Sequence, residues 1–480
     1  MKFSTKVNAV TWIVIWLVMS IISYSAASYH FYYLEQWGTF YYESDTVWQT
    51  LCKPGGVCIV IADFLLQFFY YGAGPFIFGA MMTLVAWAHS RLSEGTLPYL
   101  GCITSAAMLL TLTSSLSCQL SGSVCFCLSI LLLVVVRRCH WVAKVIAILL
   151  LCWIVRMDIL IRPGSEKQTV VYLPWAMALV VWLVCIATHL VVHRSIKPAA
   201  SRPDTNNKRK ILLTAAIQLL LAVGVSTALF SQWYNAPEQY MMKIYRYVRL
   251  QQWDEIISRS NSLGAKGQTV FQLCRNMALA EKGELGDKFL MYKQNGMGSV
   301  FSSDLSTLQA SMLLGDVYYT MGYVNMSQRT AFESLECVDN KSPYLWQRLV
   351  DTNLENGAYA VAEKYIQKLE RTLAYRQWAS DRRRYLYNDR AVNADPVLGM
   401  KRRCIFKNDC LIGLDGFDND MERIVAANPE YHAALHYLGC MYIVANQREK
   451  FLQLMKKYSG TKAMPQIPES FKKAMEVFQQ

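Results

Sequence analysis

The sequence is poor in charge: of its 480 residues only 17% are Asp, Glu, Lys or Arg, whereas 53% are hydrophobic, and mean hydropathy is +0.17. That balance is too apolar for a wholly soluble chain. Short catalytic signatures are missing as well. The sequence contains no glycine-rich nucleotide loop, no Gly-x-Ser-x-Gly elbow and no Cys-x-x-Cys pair, which removes the readings those motifs carry. Cysteine is plentiful at 14, but nine precede Phe230, where a thiol behaves as a small apolar group. The other five are Cys274, Cys337, Cys404, Cys410 and Cys440. An odd count argues against a complete disulfide framework; only Cys404 and Cys410, in "CIFKNDC", are spaced closely enough to suggest a bridge.

Charge is also unevenly placed. Up to about Phe230 nearly every long stretch is apolar and acids are few; from Ser231 onward the chain is charged, aromatic and helically periodic. The expected fold class is therefore all-α in two parts: a polytopic membrane domain over 1–231 and a helical-repeat domain over 232–480. Apolar runs long enough to cross a hydrocarbon core of about 30 Å number about seven. They centre near Ile15, Met81, Met108, Leu131, Ile148, Val181 and Leu220.

Basic residues set the orientation. With the N-terminus inside, the inner connections hold Lys2, Lys6, Arg91, Arg137, Arg138, Lys144, Arg194, Lys197, Arg202, Lys208, Arg209 and Lys210, whereas the outer ones hold only Lys53, Arg156, Arg162 and Lys167. This bias predicts a cytoplasmic N-terminus, and an odd number of spans places the second half in the periplasm of a bacterial inner membrane. About eight units of the net charge of +13 fall in the membrane half, where they suit anionic headgroups. The basic residues are not gathered on one soluble face, so membrane lipids are expected as partners and nucleic acid is not. The first apolar run has some features of a signal peptide, but its core is long and further spans follow, so an uncleaved helix is expected.

In the second half, apolar residues recur at three- and four-residue spacing. "SMLLGDVYYTMG" places Leu314, Gly315, Tyr318 and Gly322, and "LWQRLVDTNLENGAYAVAEKYIQKLE" places Trp346, Leu349, Gly357 and Ala362, in the frame of a tetratricopeptide unit. The turn glycines Gly322 and Gly357 stand one repeat apart. Weaker copies are "YRYVRLQQWDEIISRS", "FQLCRNMALAEKGELGDKF" and "HYLGCMYIVANQREKFLQLMKKY". Such arrays bind a peptide or protein on their concave face, or here could cover the chain's own membrane half.

Pro54–Gly56 ("PGG"), "ADFLLQFFYYGAGP", "LGDKFLMYKQNG", "GDVYYTMGYVNMSQRTAFESLE" and "TNLENGAYAVAEKYIQKLERTLAYRQWA" together resemble an uncharacterised family of multi-pass bacterial inner-membrane proteins with a C-terminal tetratricopeptide-like domain. The resemblance implies architecture and compartment and supplies no catalytic residues.

Candidate chemistry centres on the first outer loop, 28–63, with Glu35, Glu43 and Asp45 among many aromatics. A transferase of sugars from a polyprenyl-phosphate donor needs a carboxylate there, as general base or as ligand for a divalent metal ion. Arg156 and Arg162, flanking Asp158, could hold the lipid phosphate. The competing reading has the rings as an interfacial belt and the acids in water. Asp63 and Gln67 lie four apart near membrane depth, where a polar residue is a functional candidate and Asp63 alternatively caps a helix. "KPGG" reads as a tight turn. His432 and His436 have a chelating spacing but no third ligand nearby, so no metal site is expected. The leading expectation is an envelope protein without enzymatic activity that docks a protein or peptide on its repeats. The rivals are the transferase and, more remotely, a transporter. No cofactor is expected beyond the transferase's divalent ion.

Overall fold

The computed structural model describes residues 2–92, 119–136, 139–154, 236–264, 269–302, 308–338, 340–406 and 414–479, with a few single positions between them. All named elements among these residues are helical. The chain divides into two compact units, Met1–Met242 and Lys243–Gln480.

In the first unit, α1 (Lys2–Trp37) runs for 36 residues with neither Pro nor Gly, and ends where Gly38 follows. Then come α2 (Ser44–Leu51), α3 (Gly56–Leu66), α4 (Gly74–Leu92), α5 (Leu120–Val136) and α6 (Trp141–Ile154). Gly55 adopts φ 75° at the start of α3, and a Cβ on Gly56 would lie 1.8 Å from the Thr50 carbonyl, so "KPGG" is the expected tight turn. α1 and α4 approach closely at two glycines: a Cβ on Gly79 would meet Ser20 Oγ at 2.3 Å, and one on Gly74 would meet Phe31 at 2.6 Å. The core gathers Ala27, Phe31, Leu34, Cys58, Leu66, Phe69, Phe78, Met82, Val124 and Ile130. The opposite face of α1 exposes Val10, Ile13, Val14, Leu17, Val18 and Ile21, a continuous apolar stripe at helical spacing.

Among the described residues, Val10–Trp37 is the one helix long and apolar enough to cross a membrane; Gly56–Leu66 and Leu120–Val136 are shorter apolar helices. The expected spans near Val181 and Leu220, and most of that near Met108, lie outside the described residues. The stretch expected as the first outer loop, 28–63, is largely helical. Nothing in Tyr29–Trp37 breaks α1, and the turn at Pro54–Gly56 separates α2 from α3.

The second unit begins in α7 (Ala236–Arg249) and continues through α8 (Trp253–Gly264), α9 (Thr269–Glu281), α10 (Leu285–Lys288), α11 (Leu308–Met321), α12 (Val324–Glu336), α13 (Pro343–Glu355) and α14 (Tyr359–Glu370). Three short helices follow, α15 (Arg376–Arg382), α16 (Asp389–Ala394) and α17 (Leu398–Arg403), and then α18 (Leu414–Ala427), α19 (His432–Val444), α20 (Arg448–Tyr458) and α21 (Glu469–Phe478).

Among the described residues of this unit, one turn recurs five times. Gln251, Gly283, Gly322, Gly357 and Asn446 take φ of 54°, 72°, 86°, 73° and 53°. In each case the N–H of the next residue donates to the carbonyl five positions back, at 2.8–2.9 Å: Gln252 to Tyr247, Glu284 to Leu279, Tyr323 to Tyr318, Ala358 to Asn353 and Gln447 to Tyr442. The positive-φ residue's own N–H donates three positions back, for example Gly322 to Tyr319 at 3.0 Å. This is the Schellman pattern, which satisfies the last carbonyls of one helix and reverses the chain into the next. It joins α7 to α8, α9 to α10, α11 to α12, α13 to α14 and α19 to α20. At Gly315, α11 meets α12 with room for a Cβ, which would lie in ordinary contact with Thr330 at 3.7 Å, and Ala362 is fully buried in α14.

Candidate functional site

The residues singled out in the first unit lie on α1, α2 and α3 or next to them. Glu35, four positions after the buried Phe31 on the same face of α1, is itself buried. Glu43 is half-buried at the N-terminus of α2, where it accepts the Thr46 hydroxyl at 2.7 Å. Asp45, in the first turn of α2, is exposed and accepts from Ser44. Asp63 is half-buried on α3, its Oδ1 3.8 Å from where a Cβ on Gly38 would stand. Buried Gln67 accepts the Tyr42 hydroxyl at 3.1 Å. Arg156, Asp158 and Arg162 lie outside the described residues.

In the second unit, His432 and His436 stack with ring centroids 6.3 Å apart; His432 Nδ1 lies 2.9 Å from the Ala463 carbonyl and His436 sits edge-on to Phe471. Burial, with His432 adding to it, lowers the His436 pKa from 6.5 to about 4. Cys404 is buried 3.5 Å from Asn428, and Cys410 lies outside the described residues.

A dense constellation of polar groups lies elsewhere, on the face shared by α11 and α13. Tyr344, Arg348, Asp351 and Glu355 form a single stripe at i, i+4, i+7 and i+11 along α13. Asp316 and Tyr319 face it from α11, while the neighbouring Thr320 turns to α9. Arg348 pairs with Asp316 at 2.8 Å, and its guanidinium lies 3.8 Å from the centroid of the Tyr319 ring. The Tyr344 hydroxyl donates to Asp316, and that of Tyr319 to Glu355 Oε1. Thr320 donates to Glu281 at 2.6 Å.

Residues of the short-helix segment complete these groups. Arg382 pairs with Asp351 at 3.0 Å, and Tyr385 donates to Asp395, whose carboxylate caps α17 through the Val397 and Leu398 N–H groups at 2.9 Å. Lys401, 4% exposed, lies over the Tyr319 and Tyr431 rings at 4.6 and 4.4 Å and donates to the Tyr319 carbonyl and the Tyr431 hydroxyl. Tyr431 donates in turn to the Thr320 carbonyl. The last carbonyls of α11, the negative end of its dipole, are thus met by a cation and a hydroxyl.

Burial dominates the electrostatics of this face. It raises the carboxyl pKa of Asp316, against the pull of Arg348, and of Asp351, against Arg382. Glu355, 1% exposed, is pushed from 4.5 to about 8 by burial, against the Tyr319 hydrogen bond that favours its charged form. Burial lowers Lys401, opposed by the charge of Glu281. Sequence reasoning passed over these residues, although a signal was there. Asp316 and Asp351, and likewise Thr320 and Glu355, stand at the same offset as the turn glycines Gly322 and Gly357, so polar side chains recur at one position of the repeat.

Over its described residues the chain is thus all-helical, with a second unit built on one repeated turn. It belongs to a family of unknown function, DUF6057, which it matches over residues 3–480. No curated protein and no solved structure matches the chain.

Proposed function

We propose that this is an integral protein of the bacterial inner membrane, with about seven spans, that docks a protein partner through a tetratricopeptide-like second unit in the periplasm. The observation that carries the docking reading is the five-fold recurrence of one helix-reversing turn, since stacked helical hairpins form extended surfaces suited to peptides and proteins. The membrane reading is supported by the length of Val10–Trp37 and the exposed apolar stripe along it. Docking is tested by placing a photo-reactive amino acid at exposed Phe332 on α12 or Val361 on α14, in cells, and identifying the products. A discrete adduct with one protein supports docking. Diffuse or absent adducts at both positions, with the protein intact, contradict docking on the outer surfaces of α12 and α14.

A second reading, a lipid-linked sugar transferase, draws on the burial of Glu35 at the end of an apolar helix. It predicts that Glu35→Gln abolishes loss of a polyprenyl-phosphate sugar in reconstituted vesicles; equal turnover by the variant would remove it.

A further inference from the structure

The polar face of α11 and α13 corresponds in the repeat frame to the side on which such arrays hold peptides, and here the chain itself covers it. We propose that this face is a receptor for a cationic peptide segment, filled in cis by residues 376–404, and that a partner's basic segment engages it by displacing them. The proposal rests on the docking reading and adds the chemistry of what is docked.

Three observations support it. The receptor side supplies a carboxylate and a ring face, Asp351 and Tyr319, while the covering segment supplies Arg382 to Asp351 and Lys401, lying over the Tyr319 ring, to the end of α11. The cover is made of helices of seven, six and six residues, too short to persist without their tertiary contacts. Finally, the segment is basic as a whole: Arg376, Arg383, Arg384, Arg390 and Arg403 are exposed beyond the two cations set inside.

Exchange of one such segment for another is physically accessible. A trans segment that restores both the ion pair with Asp351 and the apolar burial made by Ala379, Val392 and Leu398 differs from the cis segment mainly in effective concentration. Tethering gives the cis segment an effective concentration on the order of millimolar. A free peptide at lower concentration therefore gains access only when the cis contacts are weakened.

The test uses the full-length protein in detergent and a synthetic peptide of residues 376–404. Wild type is compared with Arg382→Ala/Lys401→Met, and with that double variant also carrying Asp351→Asn. Binding is read by fluorescence anisotropy of the peptide, and the state of the fold by hydrogen exchange. The expected result is that the double variant binds the peptide at least about tenfold more tightly than wild type, given the tether's advantage. Asp351→Asn should remove that gain, and exchange should rise over 376–404 while α11–α14 stay protected. If protection is lost over α11–α14 together with the segment, the cover is an integral part of the fold and the proposal fails. It fails equally if the segment is released and no peptide binds, or if Asp351→Asn binds as well. These failures leave docking on the outer surfaces of α12 and α14 standing, which the crosslinking experiment addresses separately.

Discussion

Replacing Glu355 with glutamine should change the pH dependence of stability in the second unit by a calculable amount. Its carboxyl is 1% exposed and its pKa stands near 8 instead of 4.5 because burial disfavours the charge. A carboxyl raised in the folded state keeps its proton where the unfolded chain releases it. Its contribution is therefore complete below pH 4.5 and is lost as pH rises through about 8. The displacement corresponds to on the order of 5 kcal/mol between those limits. In Glu355→Gln the new side chain cannot ionise and its carbonyl oxygen still accepts from Tyr319, but its amide brings a buried donor costing about 1–3 kcal/mol. The variant should accordingly be less stable than wild type at pH 5 and more stable, by about 2–4 kcal/mol, at pH 8. The assay is native-state hydrogen exchange of amides in α11 and α13 at several pH values, corrected for intrinsic rates. Contributions from Asp316, Asp351 and His436 are common to both proteins, so only the difference is read. Parallel pH profiles for the two proteins would refute the reasoning.

Other consequences are equally specific. Alanine at Gly322 should destabilise more than alanine at Gly357, because both need positive φ but only a Cβ on Gly322 meets a ring, Tyr431 at 2.9 Å; thermal unfolding should show losses of about 1–2 kcal/mol at Gly357 and more at Gly322. Gly79→Val should part α1 from α4, since its Cβ would lie 2.8 Å from the Ser20 backbone, and a clear drop in thermal midpoint in detergent is the expected readout. His436 has the opposite sign to Glu355: its folded pKa is about 4 instead of 6.5, so its contribution is complete above pH 6.5 and lost as pH falls towards 4. His436→Gln should flatten the acid limb of a stability profile measured between those values.

The parts of the fold legible in the sequence are those that glycine and periodicity mark. Gly322 and Gly357 announced their turns, and an unbroken apolar run announced α1. The turns at Gln251 and Asn446 were readable only as weak copies, because a left-handed residue that is not glycine leaves no distinctive letter. Glu35 was read as part of a loop, yet continuation of α1 through Trp37 places it one turn beyond Phe31, on the buried face. Asp316, Asp351 and Glu355 were missed for a more general reason. An acid in an amphipathic helix is ordinarily solvated, whereas Asp316 and Glu355 are buried and Asp351 half-buried, met by Arg348, Tyr319 and Arg382 from elsewhere in the unit. Those partners lie 31 to 36 positions away along the chain, and Arg382 belongs to the segment of short helices whose mixed charges gave no periodic signal.

The measurement that bears most directly on the whole account is sidedness. Cys52, Cys139 and Cys337 are exposed thiols, and the proposed topology puts the first and last outside and Cys139 at the cytoplasmic face. In spheroplasts, a membrane-impermeant maleimide should label single-cysteine proteins retaining Cys52 or Cys337, and should label Cys139 only after permeabilisation. Labelling of Cys139 from outside, or protection of Cys337 until the membrane is opened, would contradict the proposal that the helical repeats face the periplasm.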